Sequence, residues 1–195
     1  MSMQTPAGLA PKAGHDTGDL QDRIAALEAA VEELQERVPD ARRVTILVFS
    51  GKQDKVLAAL LIGTTAAAMG MDVTLFFTFW GINVLKERRA YAGKDLRERM
   101  IDFVTPTGAT HMGVSQLNLL GAGSRMLQRM MKDKHIVSAQ TLLQQAREAG
   151  VRLVACSMTM EVMGIRREEL VSGIEVAGAA SYLVEASRSG CTLFV

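Results

Sequence analysis

Cys156 is the residue whose type and setting most invite chemistry. It follows the apolar run Val151 to Ala155 (VRLVA), which reads as a buried strand. It leads into Ser157, Met158, Thr159 and Met160, with Glu161 to Met163 opening a short helix. A thiol between a strand end and a helix start meets unpaired backbone N–H groups and the positive end of a helix dipole. Both favour thiolate over thiol. A thiolate attacks a sulfane sulfur or a disulfide, and one that keeps the sulfur becomes a persulfide. The same position also suits an inert cysteine that fills a strand end, so spacing alone leaves both readings standing.

The other candidates are weaker. Cys191 opens the terminal apolar run CTLFV, whereas Cys156 ends its own strand, so in a parallel sheet the two fall on opposite edges; Cys191 reads as structural. His111 lies in the Gly/Thr-rich stretch Thr105 to Gly113 (TPTGATHMG), a mobile loop that could cover a site and offer a proton, or simply an exposed loop histidine. The loop SGKQDK, with Ser50, Gly51 and Lys52, lacks the complete phosphate-cradling pattern. Lys52 could instead place positive charge near a thiolate. Trp80, the sole Trp, and Gly81 follow a strand and could wall a pocket, although a lone Trp is ordinarily core. No carboxylate pair, Ser–His–Asp order, zinc-type Cys/His spacing or dinucleotide glycine pattern stands out, so neither metal nor cofactor is expected.

These residues need a scaffold that gathers strand ends. Arg43 to Ser50 (RVTILVFS) reads as a first strand, Lys55 to Met69 as a helix and Asp72 to Thr78 as a second strand, one β-α-β unit with a parallel pair. Phe79 to Leu85 reads as a loop or short helix, and Glu87 to Asp102 as a charged, exposed stretch. Leu117 to Lys132 is a Met/Leu-rich helix. Ser138 to Ala149 is another helix, with Ser138 as N-cap. Ile174 to Val176, Ala179 to Ser187 and Cys191 to Val195 follow as strand, helix and strand. The expected fold is α/β: an open, mostly parallel sheet with helices on both faces. Ligands in such sheets collect beyond the carboxyl ends of the strands, where Ser50 to Lys52, Phe79 to Gly81 and Cys156 to Met160 all fall.

Ahead of this domain (42–195) come a tail at 1–18, broken by Pro and Gly and read as disordered, and a helix at 19–39. Leu20, Ile24, Leu27, Val31, Leu34 and Val38 alternate in steps of four and three, a coiled-coil-like seam. The helix either pairs between subunits or folds back on its own domain. The narrow seam favours pairing.

Composition removes several classes. Among 195 residues, 22 Lys plus Arg balance 21 Asp plus Glu, leaving no electrostatic footprint for nucleic acid. Two cysteines make no disulfide framework. The N-terminus lacks the apolar core of a signal peptide, so a cytoplasmic location is expected. Between Val56 and Leu85 the only charge is Asp72, but the change at Gly70 from Ala/Leu-rich to β-branched and aromatic argues for buried helix and strand rather than a transmembrane span.

With these pieces in order, the chain from about Arg43 to Val195 resembles the DsrE/DsrF-like sulfur-relay family, in its longer single-cysteine branch. The strings SGKQDK, FFTFWG and CSMTMEVMG carry the likeness. The resemblance implies a parallel α/β fold, homo-oligomers, and sulfur held on Cys156 as a persulfide or thiosulfonate. It implies exchange with small sulfur carriers or rhodanese-like donors. Cys156 matches the sulfur-bearing position; Ser157, Met158, Gly164, Trp80 and Gly81 match positions that shape the pocket. A sulfur carrier or sulfurtransferase is the leading expectation. A nucleotide- or anion-binding module and an oligomeric scaffold subunit built on the Met-rich helix are the alternatives.

Overall fold

The computed structural model describes residues 17–90, 93–109, 112–114 and 122–195. The chain divides into two units, 1–38 and 39–195. In the first, α1 (Thr17–Arg37) carries the apolar seam, and Leu20, Ile24, Leu27, Val31, Leu34 and Val38 are all exposed. The expected tail at 1–18 lies almost wholly outside the described residues.

The second unit is built on β1 (Asp40–Val48), β2 (Asp72–Phe77), β3 (Arg152–Cys156), β4 (Glu175–Ala177) and β5 (Ser189–Phe194). All pairings within the sheet are parallel, in the order β4-β3-β2-β1-β5. The sequence DVTLFF of β2 is apolar on both faces because both are covered, Leu75 and Phe77 in one cluster and Phe76 in another, and the strand is buried from Val73 onward. In register, Val48 stands beside Phe77, Phe77 beside Ala155 and Cys156 beside Ala177, so the carboxyl ends of four strands finish level.

Alternation sorts the two sheet faces. Ile46, Val48, Leu75, Phe77, Leu153 and Ala155 turn toward α2 (Gln53–Ala68) and α5 (Ala139–Glu148), forming the main core. Small residues let α2 lie close: a side chain on Gly63 would press on Leu75 at 3.3 Å. Ser138 caps α5, its hydroxyl accepting from the Thr141 N–H at 3.2 Å. On the other face Phe76, Val154 and Cys156 form a second, smaller cluster under Leu47, Ala177 and Tyr182 of α7 (Ala179–Arg188).

Three further helices are α3 (Leu96–Val104), α4 (Ala122–Asp133) and α6 (Ser157–Met163). A 3-10 segment covers Phe79–Leu85, where a loop or short helix was expected, and another covers Arg167–Glu169. The expected Met-rich helix is described from Ala122 on; its earlier part lies outside the described residues. One expectation is corrected. The stretch Glu87 to Asp102 is not uniformly exposed, since Lys94 and Asp102 are buried. Of the two readings open for Trp80, core and pocket wall, its 52% exposure disfavours core. No helix of the described residues is long and apolar enough to cross a membrane.

Candidate functional site

Cys156 is both the last residue of β3 and the N-cap of α6, with φ −70° and ψ 118°. The strand's alternation sends its side chain to the α7 face, beside Phe76 and Val154 and beneath Tyr182, whose ring lies 5.3 Å from that of Phe76. Only 4% of Cys156 is exposed. It is buried although it stands at a strand end, because the residue still obeys the pleat of β3 and points inward before α6 begins.

Burial by itself pushes the Cys156 thiol up. The hydrogen-bonding groups around it win: the backbone N–H of Thr159, the hydroxyls of Thr159 and Thr78, and the backbone N–H of Met158 together hold the thiol below its ordinary value. None of them closes a cap hydrogen bond to the sulfur. Their effect is on the thiolate, whose full charge they face.

The two threonines form a defined relay. Thr78 and Thr159 hydroxyls lie 3.0 Å apart, both buried, and the Phe79 N–H donates to Thr159 Oγ1 at 3.1 Å. Two hydroxyls carry two protons, and their mutual bond uses one. Whichever of them donates, the other proton is not used in that bond. This pair was not among the residues singled out from sequence. The available signal was Thr159 at the third position of α6, the place from which a side chain reaches back toward the N-cap. Thr78 carried no such signal; it arrives because β2 is the neighbour of β3.

The remaining expected residues go to different places. Gly51 and Gly81 are where the loops after β1 and β2 cross. A Cβ on Gly81 would sit 2.1 Å from the Val48 carbonyl oxygen, and one on Gly51 2.6 Å from that of Trp80. The Gly81 N–H donates to the Phe49 carbonyl at 2.9 Å, and the Thr78 N–H to that of Val48 at 3.0 Å. Ser50, Gly51, Lys52 and Trp80 line a cavity of about 300 Å³ that Cys156 does not line. Lys52, expected to stabilise the thiolate, is not among the groups acting on it. Ser157 and Gly164 line a separate open groove with Glu98 and Arg166, of about 390 Å³. Gly164 closes α6 in the left-handed conformation, φ +63°. Met158 is 51% exposed beside the site. His111 lies outside the described residues.

Cys191 is exposed on β5 and stands level with Val44, four residues below the carboxyl end of β1. Three inter-strand steps separate β5 from β3, so the two cysteines are roughly 20 Å apart from strand rise and spacing. They cannot meet within one subunit. No cluster of three or more His, Cys, Asp or Glu able to hold a metal occurs among the described residues.

A thiol held low is more fully in its nucleophilic thiolate form. The chain is also similar to known proteins. The uncharacterized protein YrkE of Bacillus subtilis is 41% identical over 155 residues, covering 79% of this chain and 97% of that one. The sulfur carrier protein DsrE2 of Allochromatium vinosum is 27% identical over 169 residues, covering 80% and 99% respectively. The crystal structure of the ychN protein from E. coli aligns at 11% identity with a TM-score of 0.49, covering 78% of this chain and 98% of that one. The model of the DsrE/DsrF/DrsH-like family matches residues 40–194, the whole sheet and its helices, and the chain belongs to that family.

Proposed function

We propose that the protein is a sulfur carrier that holds sulfane sulfur on Cys156 and relays it between partner proteins. The observation that carries this reading is the Cys156 thiol held below its ordinary value by Thr159, Thr78 and Met158 in spite of burial. Similarity to a relative named as a sulfur carrier supports it.

The transfer balances without an external redox partner. The Cys156 thiolate attacks the outer sulfur of a donor persulfide. One S–S bond forms on Cys156, the donor's S–S bond breaks, and the donor leaves as thiolate. The reverse step passes the sulfur to an acceptor thiolate. Thr78 and Thr159 stabilise the attacking thiolate and, on delivery, the leaving one. Small sulfur carriers and rhodanese-like proteins in the cytoplasm are the fitting donors and acceptors.

The carrier acts as a homo-oligomer. No residue of α7 is buried, its Leu183 and Val184 are 64% and 49% exposed, and the edge strand β5 ends in Phe194, 71% exposed. A second copy on this face would cover apolar surface and an unpaired strand edge together. The seam of α1 adds a further apolar stripe for pairing. Deleting residues 1–39 tests that part: a smaller assembly in sedimentation is expected, and an unchanged one would make the helix accessory.

Intact-mass spectrometry after incubation with polysulfide or thiosulfate tests the central reading. A gain of sulfur that maps to Cys156 and vanishes with reductant is expected. Absence of any reducible adduct with every donor would overturn it.

A further inference from the structure

A second organised site lies beyond the carboxyl end of β1, apart from Cys156. Its cavity of about 300 Å³ is bounded by Ser50 to Lys52, by Trp80 and Asn83 of the 3-10 segment, and by Val104 and Met112. That volume is at the size where a small organic molecule fits. The walls combine a half-exposed indole and apolar side chains with two polar features that lack partners.

The first is Asn83, which lines the cavity although it is only 5% exposed. Its Nδ2 donates to the Trp80 carbonyl at 3.3 Å, which fixes the sense of the amide and leaves Oδ1 as the free acceptor. Oδ1 is buried and has no hydrogen-bond partner among the described residues. No group among them supplies a donor to it, so the acceptor is left for a donor brought to the Asn83 wall of the cavity. Gln53, next to Lys52 at the start of α2, holds a second buried and unpartnered acceptor, Oε1. Native proteins rarely leave such atoms unpaired.

The second feature is Lys52. It is exposed on the cavity wall, and no carboxylate pairs with it among the described residues. The backbone helps to hold this corner in place: the Lys52 N–H donates to Ser50 Oγ at 3.2 Å, and the Gln53 N–H to the Gly113 carbonyl at 2.9 Å.

We propose that this cavity binds a small organic anion that has an apolar ring or chain and an N–H or O–H donor. The anionic group meets the Lys52 ammonium, the body lies on Trp80 and Met112, and the donor reaches Asn83 Oδ1. The two ends read opposite chemistry, so inorganic phosphate or a purely apolar molecule satisfies only half of the site. The site does not depend on the sulfur reading, since Cys156 does not line it.

The probe 1-anilinonaphthalene-8-sulfonate has this chemistry: an anilino N–H, aromatic rings and a sulfonate. Trp80 is the only tryptophan in the chain, so quenching of its emission reports on this cavity. Saturable binding of one probe per chain is expected, with Trp80 quenched in step. Lys52→Met should weaken it about tenfold, the scale of a hydrogen bond to a charged group. Asn83→Leu should weaken it as well, and if that variant does not fold, the N-methylated probe, which lacks the donor, makes the same test on the wild-type protein. Cys156→Ser should bind the probe unchanged, whether or not Cys156 loads sulfur. The proposal is overturned if Lys52→Met binds as tightly as wild type, or if the N-methylated probe does. It is overturned too if Phe194→Ser, in the exposed aromatic face, removes the quenching.

Discussion

Two buried polar clusters in this molecule solve opposite problems. In one, Lys86, Lys94, Asp102 and Glu169 form a ring of four charges whose side chains are at most 1% exposed. Lys94 lies 2.6 Å from Glu169 and 3.1 Å from Asp102, while Lys86 bonds Asp102 and stands 3.6 Å from Glu169. Two cations meet two anions, so the ring leaves no net charge. In the other, Thr78, Thr159 and backbone N–H groups surround a single ionisable atom, the Cys156 sulfur, and contribute no formal charge. A self-neutralised ring holds segments together, here the chain after the first 3-10 segment, α3 and the second 3-10 segment. A set of neutral donors around one thiol has no counter-ion to lose and favours one protonation state. The first arrangement serves stability; the second suits reactivity.

The comparison breaks most decisively at the cysteines. Cys156→Ser should abolish sulfur loading, because a hydroxyl has almost no anionic form at neutral pH, while Cys191→Ser should load as wild type does. Intact-mass spectrometry of both variants decides it. Loading lost only with Cys191→Ser would overturn the choice of nucleophile. Cys156→Ser itself should change stability by about 1 kcal/mol, in the common range for single substitutions.

The ring should respond in the opposite way. Glu169→Gln leaves a buried lysine with one carboxylate too few and should destabilise the fold by about 3–5 kcal/mol, read by denaturant unfolding, with sulfur loading retained wherever the protein is folded. Loss of loading in the folded variant would mean the ring does more than hold the chain.

Thr159→Val then sharpens the assignment at the thiol. Burial already opposes the thiolate, and removing the hydroxyl takes away one group that outweighs it. The pH profile of Cys156 alkylation should move to higher pH in a Cys191→Ser background, with the rate near neutrality falling several-fold. An unmoved profile would leave the Thr78 hydroxyl and the backbone N–H groups as the cause.

The smallest effects are the pH dependences, which share one sign but fall in different pH windows. Burial raises the Asp102 carboxyl, but the hydrogen bonds and charges of Lys86 and Lys94 outweigh that and hold it below its ordinary 3.8. Its contribution is therefore present above that value and lost as pH falls through the folded value, so Asp102→Asn should differ least from wild type in acid. Cys156 is also held low, below 9.0. In the window from its folded value up to 9.0, the unfolded chain binds the extra proton, and stability should rise with pH relative to Cys156→Ser. Unfolding midpoints across the two pH ranges check both.

Much of the scaffold was legible because strands and helices announce themselves locally. The run DVTLFF is apolar without alternation, which only a strand covered on both sides sustains, and VRLVA followed by CSMTM placed Cys156 at a strand end. Gly70 and Gly150 marked the turns because both adopt positive φ. The charged stretch Glu87 to Asp102 was misread at Lys94 and Asp102, since charge signals exposure unless partners are known, and one partner, Glu169, is far away in sequence.

The sequence by itself determined the α/β alternation, the parallel sheet, the N-terminal amphipathic helix and the strand-end position of Cys156, because each depends on residues near one another in the chain. Tertiary structure alone decided that the sulfur turns to the α7 face, and that Thr78 meets Thr159 across 81 positions. It also decided that β5 pairs with β1 rather than β4 and that four charges close a ring. These depend on which strands become neighbours and on which face each side chain falls. Contacts between distant residues are set by the packing of the whole core, and no local pattern encodes them.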